Sequence, residues 1–158
     1  MPGDHLAEDG SAAGVGIAAF EERPALGRDW LIDERECEHL LLRHYRNVDS
    51  GVAAESAEFF TADAVFTARG SCWRGREEIA AALRARDAQS SRVTVHVLTN
   101  FVLSGLDGDA ASGSGVLSVY ARGSDQRPEA VVPYVAEFVR TTDGWRFQVL
   151  ESNDAQAI

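Results

Sequence analysis

Two stretches of the sequence carry residue types at spacings suited to moving protons. In Leu41-x3-Tyr45-x3-Asp49 the tyrosine and aspartate stand four residues apart, so a helix there puts both on the face that carries Leu41 and Val48 to the core. A carboxylate on that face is a candidate general acid or base. Its plain alternative is a helix-terminal residue opening the Ser50-Gly51 turn, although the negative end of the helix dipole is a poor place for a carboxylate. In Val93 to Asn100, strand alternation places His96, Leu98 and Asn100 on one face and Val95, Val97 and Thr99 on the other. Histidine ordinarily changes charge near neutral pH, so an Asp49 and His96 pair is the natural unit for acid–base work. A lone strand histidine can equally be a satisfied structural residue. His5, His39 and His44 show no supporting spacing with carboxylates and read as surface or helix-packing residues. No run has metal-ligand spacing, and no metal or other cofactor is expected.

Composition removes several other chemistries. A net charge of −10 and a pI near 4.8 repel phosphate backbones and anionic lipid, which disfavours nucleic-acid and membrane partners. All 15 cationic side chains are arginine, so no lysine exists for a Schiff base or a phosphate-gripping loop. Cys37 and Cys72 lie far apart and read as buried free thiols. No apolar run reaches the ~18 residues of a membrane span, and the N-terminus lacks the positive charge of a secretory signal. A cytoplasmic protein is expected.

The elements that must position Asp49 and His96 follow from periodicity. Residues 1–30 are glycine-rich and acidic and read as a flexible arm, leaving 31–158 as one domain. Cys37, Leu40, Leu41, Tyr45 and Val48 recur at helical steps, with Asp33 as N-cap and an end near Val48. A short amphipathic helix over 53–60, a short strand over 64–68, a turn-rich connection over 69–75 and a third helix over 76–88 come next. From Val93 the period falls towards two, giving strands over 93–103, 115–122, 131–142 and 145–151. Asp107-Gly108-Asp109, Gly123-Ser124-Asp125 and Asp143-Gly144 suit hairpin turns, so an antiparallel meander is expected. Helices first and linked strands last give an α+β class, three helices packed on a curved, mainly antiparallel sheet.

Several motifs give this order a family likeness. Leu41-x3-Tyr45-x3-Asp49, Phe59-Phe60-Thr61-Ala62-Asp63-Ala64-Val65-Phe66, Trp73-Arg74-Gly75-Arg76-Glu77-Glu78-Ile79 and Asp143-Gly144-Trp145-Arg146-Phe147 resemble SnoaL-like domains of the nuclear transport factor 2-like superfamily. The likeness covers roughly residues 33–152 and implies a cone-shaped α+β barrel. That superfamily holds dehydratases, polyketide cyclases, isomerases, epoxide hydrolases and inert transport proteins, so the likeness is specific for fold and not for reaction. Similarity to scytalone dehydratase implies catalytic roles for Asp49 and His96. Tyr45 lies a full turn earlier than the tyrosine of that pattern. Its second histidine is absent, because only Gln89, Ser90, Ser91 and Arg92 occupy the corresponding stretch.

The combined expectation is a cofactor-independent dehydratase, cyclase or isomerase acting on a hydrophobic, polyketide-like small molecule. Asp49 and His96 are the expected catalytic pair, facing one apolar cavity across a gap that one water or a substrate group could bridge. Tyr45, Phe66, Trp73, Asn100, Tyr120 and Tyr134 are the expected substrate-binding residues. An epoxide-opening enzyme and a non-catalytic binding or assembly subunit are the alternatives. A homodimer is expected through the second sheet face, where Val95, Val97 and Phe101 would otherwise stay wet.

Overall fold

The fold is known from a computed structural model that describes residues 27–123 and 127–152. The expected arm, up to residue 26, and most of the Gly123-Ser124-Asp125 turn lie outside the described residues. Helix α1 spans Arg28–Asp49 and buries the stripe Asp33, Cys37, Leu40, Leu41, His44, Tyr45 and Val48. It starts ahead of the expected N-cap because Trp30 already packs on the core. Asp33 is instead a buried acceptor, its Oδ1 taking hydrogen bonds from Arg140 Nη2 at 2.7 Å and Trp145 Nε1 at 3.3 Å.

The expected second helix is a single 3-10 stretch, Ala53–Phe59. Its first amides donate to the Asp87 carboxylate, from Ala53 at 2.6 Å and Ala54 at 2.9 Å, which ties it to the end of helix α2, Arg76–Asp87. Strand β1, Phe60–Ala68, is longer than expected, and the turn-rich connection after it contains strand β2, Ser71–Arg74. Arg69 and Gly70 both take positive φ, 52° and 74°, which is the two-residue hairpin turn whose twist suits antiparallel strands. Arginine in that role hides the hairpin from sequence reading.

Strands β3 (Thr94–Asp107), β4 (Ala110–Ala121), β5 (Ala130–Thr141) and β6 (Gly144–Ser152) form the expected antiparallel meander. The sheet order is β2-β1-β6-β5-β4-β3, with β1 and β6 parallel, so the α+β class stands as an open, curved, mostly antiparallel six-stranded sheet under the helices. Strand β3 is an edge strand, and α1 runs antiparallel along it.

One irregularity in β3 redirects several side chains. Between the pairs Thr99–Val116 and Val102–Ser114 the strand holds one more residue than β4, and Asn100 sits there at φ 57°. The bulge reverses the alternation. Asn100 is exposed, Phe101 turns inward and Val102 turns outward. Phe101 therefore does not belong to the wet outer face expected of it. Its ring lies over Gly113, where an added Cβ would stand 2.7 Å from Phe101 Cε2, and Tyr134 likewise uses the space over Gly115.

The core is aromatic. His44 is fully buried at its centre, meeting Tyr45 (4.9 Å between centroids), Phe60 (5.6 Å), Phe66 (5.6 Å) and Phe147 (5.9 Å), all edge to face. Neither ring nitrogen has a hydrogen-bond partner among the described residues. Of the two cysteines, Cys37 is buried and its thiol is pushed up to about 12, mainly by burial and next by the Asp33 carboxylate. Cys72 is exposed on edge strand β2, contrary to expectation.

Burial, and then the nearby His96, lowers the His44 pKa from about 6.5 to about 3. Below pH 6.5 the unfolded chain binds a proton that the folded chain refuses, so this residue makes stability fall as pH falls, by up to ~1.4 kcal/mol per pH unit, until about pH 3. Urea unfolding of wild type and His44→Phe between pH 7.5 and 4.5 is expected to show a steeper loss in wild type. Parallel curves would show that His44 takes up its proton in the folded state.

Candidate active site

Asp49 is the last residue of α1 and His96 lies near the start of β3, and the edge position of β3 brings them together. An edge strand has N–H groups with no neighbouring strand to receive them. The His96 N–H, turned away from β4, donates to Asp49 Oδ2 at 2.8 Å, and the Leu103 N–H donates to Glu34 Oε1 at 3.0 Å. The spacing fits. Glu34 and Asp49 are about 22 Å apart along a helix rising ~1.5 Å per residue, and Leu103 and His96 about 23 Å along a strand rising ~3.3 Å.

Asp49 holds the imidazole as well as the backbone. His96 Nδ1 lies 2.5 Å from Asp49 Oδ1, and Thr94 Oγ1 donates to the same oxygen at 3.2 Å. Arg86 Nη2 in turn donates to Thr94 Oγ1 at 2.9 Å and to the Arg92 carbonyl at 3.0 Å. A chain thus runs Arg86, Thr94, Asp49, His96. Because a carboxylate only accepts, its contact makes Nδ1 the protonated nitrogen of a neutral ring and leaves the Nε2 lone pair as the base. The Tyr45 ring stacks on His96 at 5.0 Å and 29°, which fixes the ring plane. The site stays reachable, with the His96 side chain 12% and the Asp49 side chain 22% exposed.

Other expected site residues divide. Tyr45 is in the site, and Phe66 joins it through His44. Trp73 is half-buried and packs on Phe66 at 5.3 Å. Tyr134 is buried on the inner face, and its hydroxyl has no partner among the described residues. Burial raises the hydroxyl pKa of Tyr45 and of Tyr134, helped by each other's proximity in Tyr45 and by Glu38 in Tyr134, so both remain protonated donors. Asn100 and Tyr120 do not belong. The bulge turns Asn100 to solvent, and Tyr120 pairs with Val95 and shares its outer face.

One further expectation fails on geometry. Asp49 and His96 touch directly, with no gap between them, because the edge-strand bond draws the carboxylate onto His96. A groove of about 230 Å³ is lined by Leu31, Glu34, Arg35, Glu38 and Phe101, and one of about 400 Å³ lies around Arg76 and Arg146. Neither includes Asp49 or His96. Aromatic rings occupy the space beneath the sheet. Thr94 and Arg86 were not anticipated, although Thr94 stands two residues before His96 and so shares its strand face. His44 reads from the sequence as a surface or helix-packing residue, and the packing reading holds, since it falls buried on the helical stripe of Cys37, Leu40, Leu41 and Val48.

Among the described residues no group of three or more His, Cys, Asp or Glu could hold a metal ion, and no helix is long and apolar enough to cross a membrane. An imidazole held in this way can take up and return a proton at Nε2.

Several solved structures share this architecture. A nuclear transport factor 2-like protein with a cystatin-like fold from Novosphingobium aromaticivorans is 25% identical, with a TM-score of 0.71 over 82% of this chain and 86% of that one. A candidate aromatic ring hydroxylase from the same organism is also 25% identical, with a TM-score of 0.69 over 80% and 92%. A candidate scytalone dehydratase from that organism matches in fold, at 20% identity and a TM-score of 0.65 over 81% and 91%. No curated protein matches the chain. The model of the SnoaL-like domain matches residues 29–151, which takes in both α1 with Asp49 and β3 with His96, and the chain belongs to the SnoaL-like domain family.

Proposed function

We propose that the protein is an acid–base enzyme needing no cofactor, a dehydratase, cyclase or isomerase for a hydrophobic, polyketide-like intermediate. The observation that carries this reading is the 2.5 Å contact of Asp49 Oδ1 with His96 Nδ1. Asp49 orients the ring and stabilises the imidazolium that forms when Nε2 takes a proton. Abstraction of a proton next to a substrate carbonyl gives dehydration when the proton returns to a leaving oxygen, isomerisation when it returns to another carbon, and ring closure when the carbanion adds to a second carbonyl of the same molecule and the proton returns to the alkoxide so formed. Tyr45 and Tyr134 supply neutral hydroxyl donors on the same inner face. Thr94 and Arg86 act one step back, by holding the carboxylate.

The aromatic filling of the interior favours a second reading, a non-catalytic ligand-binding or assembly subunit of the same fold. Rates separate the two. His96→Gln and Asp49→Asn are expected to lower turnover of a substrate suggested by the neighbouring genes by ~10²-fold or more. The His96→Gln melting curve should move little, since glutamine nearly keeps the side-chain volume, whereas Asp49→Asn replaces one of the two oxygens that accept from Thr94 and His96 and should melt lower. Full activity in both variants would remove the acid–base reading.

The outer sheet face supports a homodimer. Val95 (55% exposed), Val97, Val102, Val131 (54%) and Val135 lie there beside Tyr120, a valine-rich surface on β3 and β5 with Ser114 and Ser118 of β4 between. Sedimentation at micromolar protein is expected to give the mass of two chains, and Val97→Glu with Val131→Glu the mass of one. A wild-type monomer would leave that face for another partner.

A further inference from the structure

His44 is the least economical residue in the core. Its ring is fully buried, both nitrogens lack a hydrogen-bond partner among the described residues, and four aromatic rings surround it. A buried polar group without a partner costs stability, and such a cost is commonly kept where a ligand is met. Leucine or phenylalanine would fill the same place on the α1 stripe without that cost.

Its position relates it to the proton-transfer pair. The ring contacts run from half-buried Trp73 through Phe66, His44 and Tyr45 to His96, with centroid spacings of 5.3, 5.6, 4.9 and 5.0 Å. This row of packed rings runs from the surface to the base. A flat aromatic molecule entering it would exchange ring contacts for similar ring contacts, while an oxygen on that molecule would give His44 the partner it lacks.

We propose that His44 is a second ligand-contacting residue of the Asp49–His96 site, hydrogen-bonding an oxygen on the buried end of a planar aromatic substrate. The proposal rests on the acid–base reading of that site and narrows its substrate class. Burial keeps His44 neutral across the physiological range, so it has one N–H to donate and one lone pair to accept with, and a hydroxyl or a carbonyl would serve. The role is recognition. The proton moved in the reaction belongs to His96.

The test uses 2-naphthol and naphthalene, flat molecules that differ by one hydroxyl, in equilibrium binding to the full chain. Wild type is expected to bind 2-naphthol roughly tenfold more tightly, the scale of one hydrogen bond to a buried group. His44→Phe should bind the two equally and melt at a higher temperature, and His44→Leu guards against a fault peculiar to the larger ring. His96→Gln should keep the preference. If His44→Phe and His44→Leu keep it, or if wild type shows none or binds neither compound, the proposal is overturned and His44 is a packing residue whose N–H rests on a neighbouring ring face. A preference lost in His96→Gln but kept in the His44 variants would also overturn it, while leaving the acid–base reading in place.

Discussion

The edge of β3 is the constraint on which the site depends. A terminal strand must hide or satisfy its outward N–H groups, and here two carboxylates of α1 do so at the two ends of the contact. Glu34 takes the Leu103 N–H and Asp49 takes the His96 N–H. The helix is thereby fixed in rotation and in register along the strand. The stripe from Asp33 to Val48 then has one way to face the sheet. The same bond that closes the edge delivers an aspartate to a histidine ring, so the structural and chemical uses of Asp49 are inseparable.

Polar contacts elsewhere serve the same alignment. Asp33 fixes the first half of α1 through Arg140 and Trp145, and the guanidinium of Arg140 also lies 4.4 Å from the centroid of the Trp145 ring. Asp87 fastens the end of α2 to the 3-10 stretch that follows α1. Arg86, one residue earlier on α2, reaches Thr94 and through it Asp49. Each helix therefore touches the site or its support through a charged side chain at a terminus, where a small change of sequence moves it most.

Much of this was legible in the sequence. Periodicity showed α1, α2 and the meander, and strand alternation put His96 on the helix-covered face with Asp49 opposite. What stayed hidden depends on pairing and on single φ angles. Asn100 and Phe101 were assigned to the wrong faces because a bulge inserts one residue without any glycine to announce it. Tyr120 was misplaced because its face is set by its partner Val95, and register cannot be read from one strand. The β1–β2 hairpin was missed because Arg69 takes the positive φ usually left to asparagine or glycine. Direct contact between Asp49 and His96, in place of a gap, follows from a backbone N–H at the sheet edge, which no side-chain pattern records.

The parallel pairing of β1 with β6 has a consequence for how the chain is made. Strands β3 to β6 are joined by hairpins and can associate locally as they are synthesised, whereas β1 must wait for the last strand, some eighty residues later in the chain. Until then β1 has β2 on one side and a bare edge on the other, with Val65 and Phe66 at the positions that later meet Val149 and Leu150. The β1–β2 part of a nascent chain thus carries an open sheet edge until β6 leaves the ribosome, and that interval is when association between neighbouring nascent chains competes with folding.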